Sequence, residues 1–245
     1  MKGELIFGVN PVKESLQGSR TAYNLYVQLS ATDHRVEKII RLAEERGVPV
    51  HRRDKNDITR MCASSHHQGI ALEVQPFVYA DCDELLESIS QAGGNGFLLV
   101  LDGIQDPHNL GALIRSAACA GVDGVIIPRD RACGITAAAE KTSAGAVETI
   151  PVAMVTNIAH TLETLKKRGF WVYGLDGAAR QSVYGTEFSG NVALVIGSEG
   201  EGVRPLVRKQ CDVIMSIPQF GGVSSLNASV AGGIALFEVA RRIRV

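Results

Sequence analysis

The chain has 245 residues, 45% of them hydrophobic, and 25 Lys and Arg stand against 26 Asp and Glu. A formal net charge of -1 excludes a chain that coats nucleic acid by bulk charge, but leaves room for an enzyme with a local basic patch. No segment approaches the roughly 20 apolar residues of a membrane helix, and Met1 to Gly8 has neither an extended apolar region nor a small-residue cleavage site.

These features predict a soluble cytoplasmic chain of one or two domains. The five cysteines, Cys62, Cys82, Cys119, Cys133 and Cys211, never reach the paired spacing of a zinc or redox site. They read as small buried hydrophobes, and no metal is expected.

In chain order, Asn10 can cap a helix that begins at Pro11. A strand is expected over 23–29, then a helix over 33–46 that carries Val36, Ile39, Ile40, Leu42 and Ala43 at helical spacing and stops at Gly47. A short strand over 48–51, a helix from Asp54 to Met61 and a strand over 69–74 complete an α/β domain at 1–76. Arg52, Arg53, Lys55, Arg60 and the run His66-His67-Gln68-Gly69 form a cluster able to contact phosphates and unstacked bases, or equally a solvated face. Residues 77–96, with an acidic helix over 81–90, read as a linker and entry element.

The second domain, 97–245, opens with the continuous apolar run 97–101, the mark of a strand buried on both faces of a parallel sheet. It leads to Asn109 and Arg115 near the start of a helix. Strands are expected at 125–127, 151–154 and 170–175, with helices at 136–144 and 157–168. The device then repeats, because the apolar run 192–196 is followed by Gly197-Ser198-Glu199-Gly200-Glu201-Gly202.

Glycines there let a ligand approach the backbone. Their order, G-x-x-G-x-G, is not the dinucleotide fingerprint, so a nicotinamide enzyme is a weak alternative. A third strand, 212–217, ends in Pro218, two glycines, Val223, the hydroxyl pair Ser224-Ser225, Leu226 and Asn227. Asn227 can cap the terminal helix, whose apolar face is expected to be Val230, Ile234, Phe237 and Ala240, with Gly232 and Gly233 marking a close backbone approach.

Three blocks in order, Asp106-Pro107-His108-Asn109-Leu110-Gly111 through Arg115, Ile196-Gly197-Ser198-Glu199-Gly200, and Ile217-Pro218 through Ser225-Leu226-Asn227, resemble the three motifs of the SpoU (TrmH) family of SPOUT RNA ribose 2'-O-methyltransferases. Phe7-Gly8-Val9-Asn10-Pro11-Val12 and His67-Gln68-Gly69-Ile70 resemble the substrate-binding domain of its ribosomal RNA branch. The resemblance implies an α/β catalytic domain with a flanked parallel sheet and a deep C-terminal trefoil knot, preceded by an L30e-like RNA-binding domain. It implies S-adenosylmethionine as cofactor, a homodimer whose active site borrows from both subunits, and a guanosine ribose of 23S ribosomal RNA as substrate.

Carried over position by position, the catalytic group would be Asn109, Arg115, Glu199, Ser225 and Asn227, and cofactor contacts would centre on Gly197, Ile217 and Leu226. A ribose 2'-hydroxyl is a poor nucleophile, so the site must align it and ease its proton away. Arg115 would act either as a transient base or as a fixed charge that clamps phosphate and stabilises the developing alkoxide. Transfer RNA methylation and a non-catalytic role in ribosome assembly are the alternatives.

Overall fold

The computed structural model describes residues 3–18, 20–30, 33–200, 202–222 and 225–244. Of the stretches singled out above, Met1, Lys2, Glu201, Val223 and Ser224 lie outside the described residues. The chain separates into two compact units, Met1–Val78 and Tyr79–Val245.

The first unit runs β1 (Glu4–Phe7), α1 (Val9–Gln17), β2 (Ala22–Gln28), α2 (His34–Glu45), β3 (Val50–Arg53), α3 (Lys55–Cys62) and β4 (Ile70–Val74). Its sheet has the order β1-β4-β2-β3, with β4 antiparallel to both neighbours and β3 parallel to β2. Leu25, Val27, Leu72 and Val74 project from the sheet into a core completed by Val12, Leu16, Val36, Ile39 and Ala43. The two helices contribute them at i, i+3/i+4 spacing, as an amphipathic face requires.

One strand adds to the sequence reading and one local expectation is corrected here. β1 has no strong sequence signal and pairs with β4 residue for residue, Glu4 opposite Val74 through Phe7 opposite Ala71. Asn10 does not cap α1: the helix starts at Val9 behind Gly8, and the Val9 N–H donates to Gln68 Oε1 at 2.8 Å. A side chain 59 positions away thus supplies the cap that local spacing assigned to Asn10.

The second unit contains α4 (Cys82–Gln91), β5 (Phe97–Asp102), α5 (Pro107–Cys119), β6 (Gly124–Pro128), α6 (Ala137–Ser143), β7 (Val152–Val155), α7 (Ile158–Lys167), β8 (Phe170–Leu175), β9 (Gln181–Ser182), β10 (Asn191–Gly197), α8 (Pro205–Arg208), β11 (Val213–Ser216) and α9 (Ala228–Arg244). Seven strands lie in the order β7-β6-β5-β10-β8-β11-β9, and every pairing is parallel. α4 lies within this unit and buries Leu85, Leu86 and Ile89 in its core.

β5 and β10 sit side by side in the middle, Val192 opposite Phe97 through Gly197 opposite Asp102. Both are buried throughout except at Asn191, which explains their unbroken apolar runs. Their C-terminal ends therefore deliver two turns, 103–106 and 198–202, to the same edge of the sheet. That is where open parallel sheets place ligands.

α9 departs from its expected orientation. Its buried residues are Ala228, Gly232, Ala235, Leu236 and Val239, while Val230 and Phe237 are 51% and 52% exposed. Gly232 decides the rotation: a Cβ there would collide with Leu113 of α5 and Ile196 of β10, so the helix presses its backbone onto them. Val230 and Phe237 are left facing outward. Among the described residues no helix is long and apolar enough to cross a membrane.

Candidate active site

The turn after β10 is closed by Ser198 and Gly202, which exchange both backbone hydrogen bonds, Ser198 N to Gly202 O at 3.1 Å and Gly202 N to Ser198 O at 3.0 Å. Gly197 is required beneath it, because a Cβ would run into the backbone of Gly202 and Val203. Gly200 and Gly202 take φ of +84° and +67°, which side chains rarely adopt. The turn is anchored from below by Asp102, fully buried at the end of β5. Arg204 donates to it from its backbone N at 2.9 Å and from Nε at 2.8 Å, and its Nη2 completes the ion pair.

Glu199 projects from this turn into a junction of three side chains. Its Oε1 accepts from Asn227 Nδ2 at 2.9 Å and from Asn109 Nδ2, while Asn227 Nδ2 also donates to Asn109 Oδ1 at 3.0 Å. Asn109, 7% exposed, comes from the first turn of α5, whose cap is Asp106 through the His108 N–H at 2.9 Å. Asn109 therefore does not cap its helix, and its side chain is free for the junction.

Asn227 does both jobs. Its Oδ1 accepts from Ser229 N at 2.9 Å and Val230 N at 3.3 Å, starting α9, and its amide nitrogen turns to the junction. Because the oxygen is committed to backbone donors, the orientation of the amide is fixed by the network. Three residues 28 to 118 positions apart thus converge on the shared edge of β5 and β10.

Beside the junction lies a cleft of ≈ 880 Å³. Leu175, Ile196, Ile217 and Leu226 supply apolar walls, Gly197, Gly200 and Gly202 a backbone floor, and Asp176, Glu199 and Ser225 polar groups. Gly177, Gly200 and Gly202 face open space, where a Cβ would meet no atom within 4 Å. Asp176 is held by Arg208 and accepts from Ala178 N at 2.8 Å. A second, smaller pocket of ≈ 330 Å³ lies across Ser198 and Glu199.

The structure brings together Asn109, Glu199 and Asn227, and it places Gly197, Ile217, Ser225 and Leu226 along the large cleft. It does not bring Arg115 to them. Arg115 is exposed on α5, lines neither cavity and has no ion pair or side-chain hydrogen bond among the described residues. Sequence reasoning missed Asp102, Asp176 and Arg204. Asp102 carried a signal, being the one charged residue on a strand otherwise wholly apolar.

The expected basic cluster of the first unit divides. His67 is buried: Nδ1 accepts from Gly69 N at 3.0 Å and Nε2 meets Thr59 Oγ1 at 3.0 Å, and burial, then Lys55, holds its pKa below the ordinary value. Gln68 is spent on α1. Arg52, Arg53, Lys55, Arg60 and His66 remain exposed.

All five cysteines are free, and burial pushes the Cys211 thiol up to about 12. Cys119, expected to be buried, is exposed on α5. Among the described residues no group of three His, Cys, Asp or Glu could hold a metal ion.

Residues 96–237 match the model of the SpoU rRNA Methylase family, and residues 5–80 match the RNA 2'-O ribose methyltransferase substrate binding model. A 23S rRNA (guanosine-2'-O-)-methyltransferase RlmB of Xylella fastidiosa is 41% identical over 242 residues, covering 98% of this chain and 97% of that one. The protein of the same name from Ralstonia nicotianae is 41% identical over 243 residues, at 98% and 96% coverage.

Among solved structures, an AdoMet-bound rRNA methyltransferase from Sinorhizobium meliloti superposes with a TM-score of 0.64 at 24% identity, over 100% of this chain and 88% of that one. The SpoU methyltransferase AviRb from Streptomyces viridochromogenes, in complex with AdoMet, gives 0.63 at 21% identity, over 97% and 89%.

Proposed function

The chain belongs to the SpoU rRNA methylase family, and from that premise we propose that it methylates the ribose 2'-oxygen of a guanosine in 23S ribosomal RNA, with S-adenosylmethionine as methyl donor. The observation that carries the reading to particular residues is the Asn109, Glu199 and Asn227 junction standing at the edge of a glycine-floored cleft.

The cleft fits the cofactor. Its open glycine positions accept a group lying against the backbone, its aliphatic walls suit a flat purine, and its two carboxylates suit a cation and hydroxyl groups. Gly197, Ile217 and Leu226 would hold it, with Ser225 at the mouth. When bound, S-adenosylmethionine supplies a methyl group already activated on a sulfonium.

The work left to the protein is to align the 2'-oxygen and lower the cost of its negative charge. Glu199 fixes the two amides and keeps their outward lone pairs and N–H groups in one orientation; a carboxylate so engaged positions its neighbours. Ser225 would contact the substrate.

In the proposed mechanism Arg115 stays charged. It clamps an RNA phosphate and stabilises the developing alkoxide while the proton leaves to water. Its position away from the junction supports a homodimer in which the partner supplies it. Val230 and Phe237, exposed on α9, are the apolar surface such an assembly would cover.

The test of the activity is incubation with labelled S-adenosylmethionine and unmodified 23S ribosomal RNA, followed by mapping of ribose methylation. A single modified guanosine is expected, and tight RNA binding without incorporation would instead leave an assembly factor. The shared site is tested by mixing Arg115→Ala and Asn227→Ala chains. Each is inactive alone, and the mixture regains about a quarter of wild-type activity if the arginine crosses the dimer. No recovery places the whole site in one chain.

A further inference from the structure

Building on the guanosine-directed reading above, we propose that the smaller pocket seats the target base and that Asp106 reads the Watson–Crick edge of guanine there. The pocket is lined by Gly103, Ile104, Gln105, Asp106, Asn109, Ser198 and Glu199. It shares Ser198 and Glu199 with the large cleft, so occupants of the two cavities face each other across one turn of backbone. That is the arrangement a transfer between two bound molecules needs. At ≈ 330 Å³ it stands at the small end of ligand sites, which suits one unstacked nucleoside.

The walls are set before anything binds. Cys133 N donates to Ile104 O at 2.8 Å, tying the loop after β6 to the loop after β5, and Ile104 is buried. Asp106 is held by its own cap: Oδ1 accepts from His108 N, while Oδ2 has no hydrogen bond among the described residues. Gln105 is exposed beside it with no side-chain partner there either. Arg131 follows in the loop after β6, its carbonyl 3.7 Å from where a Cβ on Gly103 would stand, with an exposed side chain and no ion pair among the described residues.

The chemistry of that set selects one base. A carboxylate only accepts, and guanine alone among the four bases presents two adjacent donors, N1–H and the N2 amine, on its Watson–Crick edge. Adenine and cytosine turn a ring-nitrogen lone pair toward the same place, and uracil offers one donor flanked by two acceptors. The Gln105 amide can donate to guanine O6. Arg131, on the adjoining loop, would take a neighbouring phosphate, which positions the strand without reading sequence.

The experiment uses the full chain and an RNA fragment carrying the mapped guanosine, with that nucleotide replaced in turn by inosine and adenosine. Inosine keeps N1–H and loses the amine, so wild-type kcat/KM is expected to fall on the order of tenfold, with a larger fall for adenosine. Asp106→Asn keeps a good helix cap and removes the charge, so it should abolish the guanosine-over-inosine preference while S-adenosylmethionine affinity is unchanged.

Asp106→Ser, which also caps, guards against a folding defect peculiar to the amide. Equal rates on guanosine and inosine by the wild-type chain would overturn the proposal, as would an undiminished preference in either variant. Absence of any methylation of 23S ribosomal RNA by the wild-type chain overturns the activity instead, so the two failures are separable.

Discussion

Two polar, glycine-containing turns in this molecule have similar composition and opposite fates. His67-Gln68-Gly69 in the first unit leads into β4, and both His67 ring nitrogens and the Gln68 amide oxygen are taken up by its own unit: Gly69 N, Thr59 Oγ1 and Val9 N. The turn 198–202 follows β10, and its carboxylate gathers two amides at the border of two cavities. Residue type does not separate the two. What separates them is which end of the strand they occupy and whether the lone pairs are consumed by backbone or held beside open space.

The largest expected effect breaks the second turn's junction. Asn227→Ala should lower kcat by about 10²–10³-fold, in the range seen when one preorganised polar group is removed from a site. Asn227→Ser restores a capping oxygen and recovers about 1 kcal/mol of stability without recovering the rate. Single-turnover kinetics and urea unfolding on both variants separate the two jobs of this residue. Equal rates for wild type and Asn227→Ala would mean that the junction is only a cap.

Next comes the anchor beneath the turn. Asp102→Ala leaves Arg204 without its partner at a site where the carboxylate is fully buried. Breaking such a pair costs about 3–5 kcal/mol when both groups are buried; Arg204 is one-third exposed, so about 3 kcal/mol is expected by urea unfolding. A smaller loss, about 1–3 kcal/mol, is expected for Gly197→Ala, whose added methyl must push the strand end from Gly202. Calorimetric binding of S-adenosylmethionine should weaken in the same variant, because Gly197 also floors the cleft.

The course of β5 and β10 was legible because strands buried on both faces leave unbroken apolar runs, whereas Asn109, Glu199 and Asn227 were grouped, with Arg115 and Ser225, by the ordered motif resemblance. Three features were not legible, two of them because a distant contact overrides a local pattern. Gln68 caps α1 from across the unit, so Asn10 lost the role its spacing suggested. Gly232 seats α9 on Leu113 and Ile196, so Val230 and Phe237, two members of the expected apolar face, ended up outside. Arg115 shares a helix with Asn109 and still lies away from the junction, because an offset of six residues at 3.6 per turn sets the two side chains about 120° apart around the helix.

The smallest effect sharpens the first turn's structural role through pH. His67 accepts the Gly69 N–H on Nδ1, so a proton added there would confront a donor, and burial and then Lys55 lower its pKa below that of an exposed imidazole. Above about pH 6.5 the ring is neutral in both folded and unfolded chains, and its contribution to stability is complete. As pH falls below that value the unfolded chain takes up the proton while the folded chain resists it. The unfolded state then binds more protons, and stability declines until the lowered folded pKa is passed. Urea unfolding of the chain followed between pH 7.5 and about 5 should show this decline. His67→Asn should be less stable at pH 7.5, having lost the Nδ1 and Nε2 bonds, and flatter across the window; an unchanged slope would assign the pH dependence to other groups.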